Sequence, residues 1–165
     1  MQIIARAFAM DERTWERHAS PWSCWTRVAI LPLLCLAIWA RVWIGWGCLI
    51  PIAALLVWTW VNPRAFPPPA TTRAWASRAV MGERVWLNRG TVAIPRHHAV
   101  WAGLLSALPA AGLGPLIWGL YALEIWPLLL GLVLTMGPKL WFCDRMVWLY
   151  DDMARTHPAY AAWQR

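Results

Sequence analysis

Charge is what this sequence has least of. Only 8 of its 165 residues are acidic, and charged residues of both signs make up 14%. A soluble globular domain carries about 25%, so the chain lacks the charge to cover a surface that meets water on every side. Tyr and Phe are scarce, at three each. The four cysteines, Cys24, Cys35, Cys48 and Cys143, include no C-x-x-C pair. Three of them sit in or beside apolar runs, where Cys acts as a small hydrophobe, so neither a disulfide nor a cysteine zinc site is expected. H-E-x-x-H and a Gly-rich phosphate loop are missing too, which removes the local signatures of zinc peptidases and P-loop NTPases. Residues 3–10 are short, contain Arg6 and precede a charged stretch with no small-residue cleavage site. No secretory signal is expected there, and Met10 is a second candidate start.

What is abundant is apolar and clustered. Hydrophobic residues make up 60% of the chain, and sixteen are Trp. Trp favours the membrane–water boundary, where its ring meets lipid and its N–H meets water. Trp22, Trp25, Trp39, Trp43, Trp46, Trp58, Trp60, Trp101, Trp118, Trp126 and Trp141 lie near the ends of apolar runs, as an aromatic belt requires. A helix needs about 20 apolar residues to cross the hydrocarbon core. The runs predict an all-α integral membrane helical bundle in one domain, with four transmembrane helices in two hairpins plus two interfacial amphipathic helices. The spans are expected at 20–41, 44–61, 99–121 and 126–138. Ser20-Pro21 opens the first, since Ser caps and Pro fits the first turn, and Pro32 kinks it. The Pro-rich stretch 62–69 reads as an extended link that excludes helix and separates the halves. Pro109, Gly112, Gly114 and Pro115 interrupt the third span and must pack against neighbours. The turn between the third and fourth spans is expected at 122–125, because a turn at Gly114-Pro115 would put Glu124 in mid-membrane.

Two further segments are amphipathic. In the central loop, 62–98, a helix over 71–89 puts Trp75, Ala76, Ala79, Val80, Gly82, Trp86 and Leu87 on one arc, with Glu83 as a charged intruder. The fourth span is expected to continue as an amphipathic helix over 139–154, interfacial or packed on a partner. Fourteen of the fifteen Lys and Arg residues fall in the N-terminal segment, the central loop or the C-terminal segment; the outer turns hold only Arg41. The positive-inside rule then puts both termini and the loop in the cytoplasm. The formal net charge of +7 suits anionic lipid better than nucleic acid, because the charge is interleaved with lipid-seeking segments.

The polar residues expected at the cytoplasmic boundary are the candidates for chemistry. His97, His98, Glu83 and Asp144 are the candidate catalytic groups, the histidines as acid–base groups. Arg84, Asn88, Arg89, Arg145 and Asp151 are the candidate headgroup-binding groups. Adjacent histidines diverge by about 100° on a helix, so His97 and His98 could share a metal with Asp144 or Asp151 only from a loop. Ion pairs and headgroup contacts are the preferred reading of these residues, and no metal is expected. Glu83 is expected to pair with Arg145 or Arg27 in a salt bridge tying the surface helix to the bundle, and Arg41 with Glu124. His18 and His157 read as surface residues.

The motifs Trp75-Ala-Ser-Arg78, Gly82-Glu83-Arg84-Val-Trp86-Leu-Asn88-Arg89, Pro95-x-His97-His98 and Lys139-Leu-Trp141-Phe-Cys-Asp144-Arg145-Met-Val-Trp148-Leu-Tyr150-Asp151 resemble an uncharacterised bacterial family of integral membrane proteins, a domain of unknown function. The resemblance covers about 18–152. It implies membrane location, here the bacterial cytoplasmic (inner) membrane, and carries over no activity, cofactor or catalytic residue. The expected function is a non-enzymatic scaffold, accessory subunit or lipid-binding module, with membrane lipids and another membrane protein or a second copy as partners. The alternative is a small membrane enzyme acting on a lipid or quinone headgroup through His97, His98, Glu83 and Asp144. A transporter ranks third, since no charged site falls at the midplane.

Overall fold

The computed structural model describes residues 11–165; the segment 3–10 and the second start at Met10 lie outside them. Every regular element among the described residues is helical. They run as α1 (Glu12–His18), α2 (Pro21–Val28), α3 (Ile30–Trp39), α4 (Arg41–Ile44), a 3-10 turn (Gly45–Cys48), α5 (Leu49–Ala65), α6 (Trp75–Leu87), α7 (Arg96–Ala107), α8 (Pro109–Ala122), α9 (Ile125–Thr156) and α10 (Pro158–Ala161).

Three helical stretches are long and apolar enough to cross a membrane, Pro21–Ala65, Arg96–Ala122 and Ile125–Thr156. Four separate ones were expected. The difference lies in the 45-residue stretch Pro21–Ala65, where no polar interval parts the two expected spans and the helical conformation runs through. The stretch nonetheless doubles back. Gly45 takes φ 53°, a conformation glycine adopts without a Cβ clash, and α3 and α5 pack side by side. Pro32 has no N–H to offer the Val28 carbonyl, which accounts for the interruption at Ala29 between α2 and α3. Pro109 likewise marks the break between α7 and α8.

The expected extended link at 62–69 is corrected at its start. Asn62, Pro63 and Arg64 belong to α5, and the backbone becomes extended only at Phe66. Pro63 removes one helical hydrogen bond, while buried side-chain bonds of Asn62 hold the last turn in place.

Two apolar cores organise the chain. One joins the hairpins: Cys35 of α3 meets Leu116 and Leu120 of α8 and Leu128 of α9. Gly131 of α9 lets α8 approach until a Cβ there would overlap the Leu116 backbone. The second core builds a cap from Met81, Val85 and Trp86 of α6, Ala102 and Leu105 of α7, Phe142, Met146, Leu149 and Tyr150 of α9, and Tyr160 of α10. The helix expected to lie on the membrane over 71–89 is therefore shorter and packed on protein. Ala76, Ala79, Val80 and Trp86 of its apolar arc are buried, as is Ser77 from the opposite side. Away from these cores the spans face outward with bare apolar side chains, Trp46 at 86% exposed and Ile50 at 75% among them. Only 11–22% of the residues in the three apolar windows are buried within the protein. In water that surface would be a large aggregation liability.

Candidate functional site

Helix geometry sets a common depth. Arg27 lies fourteen residues from Arg41, and Lys139 fourteen from Ile125. At 1.5 Å per residue each is about 21 Å along its helix from the outer turn. Asn62 is thirteen residues past Leu49, about 20 Å by the same rise. Three helices thus change from apolar to polar at one level. The cap, with α1, α6, the start of α7 and the end of α9, begins there.

A buried polar chain occupies this level. Asp11 caps α1, accepting from the Thr14 N–H at 2.8 Å, and α1 ends at His18, only 3% exposed. Arg27 Nη1 donates to His18 Nε2 at 2.6 Å. Since Arg has no acceptor, Nε2 must be the bare nitrogen and Nδ1 carries the proton. Nδ1 donates to Ser23 Oγ at 2.8 Å, Ser23 Oγ to Asn62 Oδ1 at 2.8 Å, Asn62 Nδ2 to Thr26 Oγ1 at 2.7 Å, and Thr26 Oγ1 to the Trp22 carbonyl at 2.6 Å. Every link runs in one direction, and the chain is consistent only with a neutral His18. Burial, then the Arg27 guanidinium, lowers the imidazole from 6.5 to about 4. The surface position expected for His18 is thus corrected: Ser23 and Asn62, fixed on α2 and α5, hold it inside.

Beside this chain a cleft of about 180 Å³ is lined by His18, Cys24, Arg27, Val28, Ala79, Val80, Glu83, Lys139, Leu140 and Cys143. Glu83 accepts from Lys139 Nζ at 3.0 Å. The salt bridge expected to tie this helix to the bundle is present, with Lys139 as partner in place of Arg145 or Arg27. Burial pushes the Glu83 carboxyl up, but Lys139, with Arg27, outweighs it and holds the group below its ordinary value. The Lys139 side chain is 55% exposed and Arg27 is exposed, so the mouth of the cleft is cationic. With His18 neutral, two cations face one carboxylate, and Val28, Val80 and Leu140 supply apolar wall.

The other candidates are dispersed through the cap. Asp144 accepts from Trp75 Nε1 at 3.0 Å. Asp151 pairs with Arg78 at 2.7 Å. His98 Nε2 lies 2.9 Å from Asp152 Oδ2, and His97 is exposed beside it. Arg84 bonds Glu12 and stacks on Trp163, 4.1 Å from the ring centre. Arg89 lies over Trp86 at 4.0 Å, and Arg145 over Trp148 at 5.1 Å. Asn88 ends α6, its carbonyl accepting from Thr91. Glu83, Asp144 and the His97–His98 pair therefore do not converge on one pocket. At the opposite end, Arg41 donates to the Leu120 carbonyl and, at 3.1 Å, to that of Tyr121. It bridges the hairpins through the carbonyl end of α8, where a cation is favoured, and not through the expected Glu124.

The sequence reading missed His18, Ser23, Asn62 and Lys139. For two of them the available signal was depth: Asn62 and Lys139 are the polar residues nearest the ends of apolar runs.

A family model described as a family of unknown function (DUF6653) matches residues 2–165. No curated protein and no solved structure matches the chain.

Proposed function

We propose that the chain, which belongs to the DUF6653 family, is a non-enzymatic multi-pass membrane protein that binds the headgroup of an anionic lipid in the Arg27–Lys139 cleft. The observation that carries this reading is the cleft itself: two cations at its mouth, apolar wall behind them, and a position where the apolar spans give way to the polar cap. A phosphate group matches guanidinium and ammonium donors, and an acyl chain would follow Val28 and Leu140 toward the spans.

In this reading the Pro21–Ala65 stretch enters and leaves the membrane, giving four crossings, and the cap faces the cytoplasm. The doubled-back hairpin supports the first point, and the collection of fourteen of the fifteen basic residues away from the outer turns supports the second. The apolar layer of about 21 Å is thinner than a 30 Å hydrocarbon core. Arg27 and Lys139 make up the difference by extending their side chains toward the headgroups.

The enzyme reading draws less support, because Asp144 is held by Trp75 and His98 by Asp152, each away from Glu83. Mass spectrometry of lipids retained through detergent purification tests the proposal. Anionic lipid should be enriched at about one per chain and lost in the Arg27→Ala/Lys139→Ala double variant. Retention of zwitterionic lipid in the same proportion, or retention unchanged by the double variant, would rule it out.

A further inference from the structure

Outside the cleft, one cluster gathers three metal-ligating side chains. His97, His98 and Asp152 each present one ligand atom, and the three atoms lie within 4.8 Å of one another. We propose that this cluster is a binding site for a borderline first-row divalent cation of the zinc type, clamping the start of α7 to α9.

The two histidines come together despite being adjacent. They occupy the first turn of α7, after Pro95, and their rings tilt toward each other with centroids 4.1 Å apart. The expectation that only a loop could converge them is corrected: side-chain rotation at a helix start is enough. Asp152 comes from α9, 54 residues along the chain from His98. Two imidazole nitrogens and a carboxylate oxygen form the donor set of an open zinc-type site, which leaves a fourth position for water.

The separations suit the ion. Bonds of about 2.0 Å in tetrahedral geometry put ligand atoms a little over 3 Å apart. His98 Nε2 and Asp152 Oδ2 already lie 2.9 Å apart, so an ion would replace the proton between them. His97, exposed at the surface, needs only a rotamer change. The cluster is also anchored on one side and open on the other. The His98 side chain is 1% exposed, whereas that of Asp152 is 44% exposed.

The nitrogen of His98 that faces Asp152 is Nε2; Nδ1 points the other way, buried and without a hydrogen-bond partner among the described residues. Two cations oppose a metal here. Arg155 lies 3.8 Å from the Asp152 carboxylate, but its side chain is 79% exposed and can swing into solvent. Arg145 acts on His98 electrostatically, yet its guanidinium is held against Trp148.

The test uses full-length protein in detergent, stripped with chelator and titrated with Zn²⁺, and with Co²⁺ as a spectroscopic probe. One Zn²⁺ per chain is expected, with visible Co²⁺ bands of a low-symmetry nitrogen–oxygen site. His97→Ala, a surface change that leaves the buried ring in place, should weaken binding by tenfold or more, as should Asp152→Asn. His157→Ala should leave it unchanged. Substoichiometric binding, or stoichiometric binding that neither His97→Ala nor Asp152→Asn weakens, would overturn the site. The lipid-retention assay reads a different cleft, so the two proposals stand or fall separately.

Discussion

His18 shows what a single residue does in this molecule. Its ring closes a one-way chain of hydrogen bonds from Arg27 to the Trp22 carbonyl, joining α1, α2 and α5. Protonating Nε2 would leave two donors facing each other inside the cap. The folded imidazole titrates at about 4 against 6.5 for the free group, so the unfolded chain binds the extra proton first. The stability that depends on a neutral His18 is therefore complete above pH 6.5. It falls as the pH drops from 6.5 to 4, by on the order of 3 kcal/mol in all. Unfolding midpoints in detergent should decline over that window in the wild type, and the His18→Gln variant should lack that part of the decline. An identical acid profile in the two proteins would contradict the neutral assignment. Nothing at the level of the residue type announced this role. A histidine between charged residues and Ser20-Pro21 reads as surface, and its burial depends on Asn62, 44 positions away in sequence.

At the scale of elements, the seam between α6 and α9 decides the shape of the cap. Gly82 meets α9 so closely that a Cβ there would overlap the Met146 carbonyl. A backbone cannot turn aside as a flexible side chain can, so Gly82→Ala should force the helices apart. A loss of about 1–3 kcal/mol is expected, the range for overpacking a filled core, read as a lower midpoint in SDS unfolding. Gly103→Ala on α7 is the matched control: a Cβ there meets nothing within 4 Å, and helix propensity favours Ala by up to about 1 kcal/mol. Amphipathicity made α6 legible as a helix from its spacing, and Glu83 as the residue needing a partner. It did not reveal what the apolar face would meet, because a membrane surface and another helix present the same apolar demand. The small residues Ala76, Ala79 and Gly82 on one face were the clue in favour of a helix. The Pro63 turn misled for a related reason. Local propensity opposes helix there, and tertiary bonds from Asn62 outweigh it.

At the scale of the whole molecule, an apolar slab carries a polar cap on one end and a nearly uncharged turn region on the other. The chain's helical and apolar character was readable from run length and composition, since both are properties of consecutive residues. The number of separate apolar stretches was not, because the reversal at Gly45 leaves no polar gap. The cleft was legible only in part. Glu83 stands out from its apolar arc, whereas His18 and Arg27, on consecutive helices, meet Lys139 of α9 only in the folded chain. The cap is also tied to the C-terminus: Arg165 exchanges backbone and hydroxyl bonds with Thr72 and pairs with Glu16 at 2.6 Å. Removing the last few residues removes these ties.

In the proposed topology the outer turns and the cap lie on opposite faces of a bilayer. Single cysteines introduced into a chain without its native four, at Trp46 and Tyr121 in the turns and at Arg155 in the cap, test this directly in sealed vesicles with a membrane-impermeant maleimide. All three native side chains are solvent-exposed in the fold. Arg155→Cys should react only from the cytoplasmic face, and Trp46→Cys and Tyr121→Cys only from the other. Labelling of all three from the same face would contradict it.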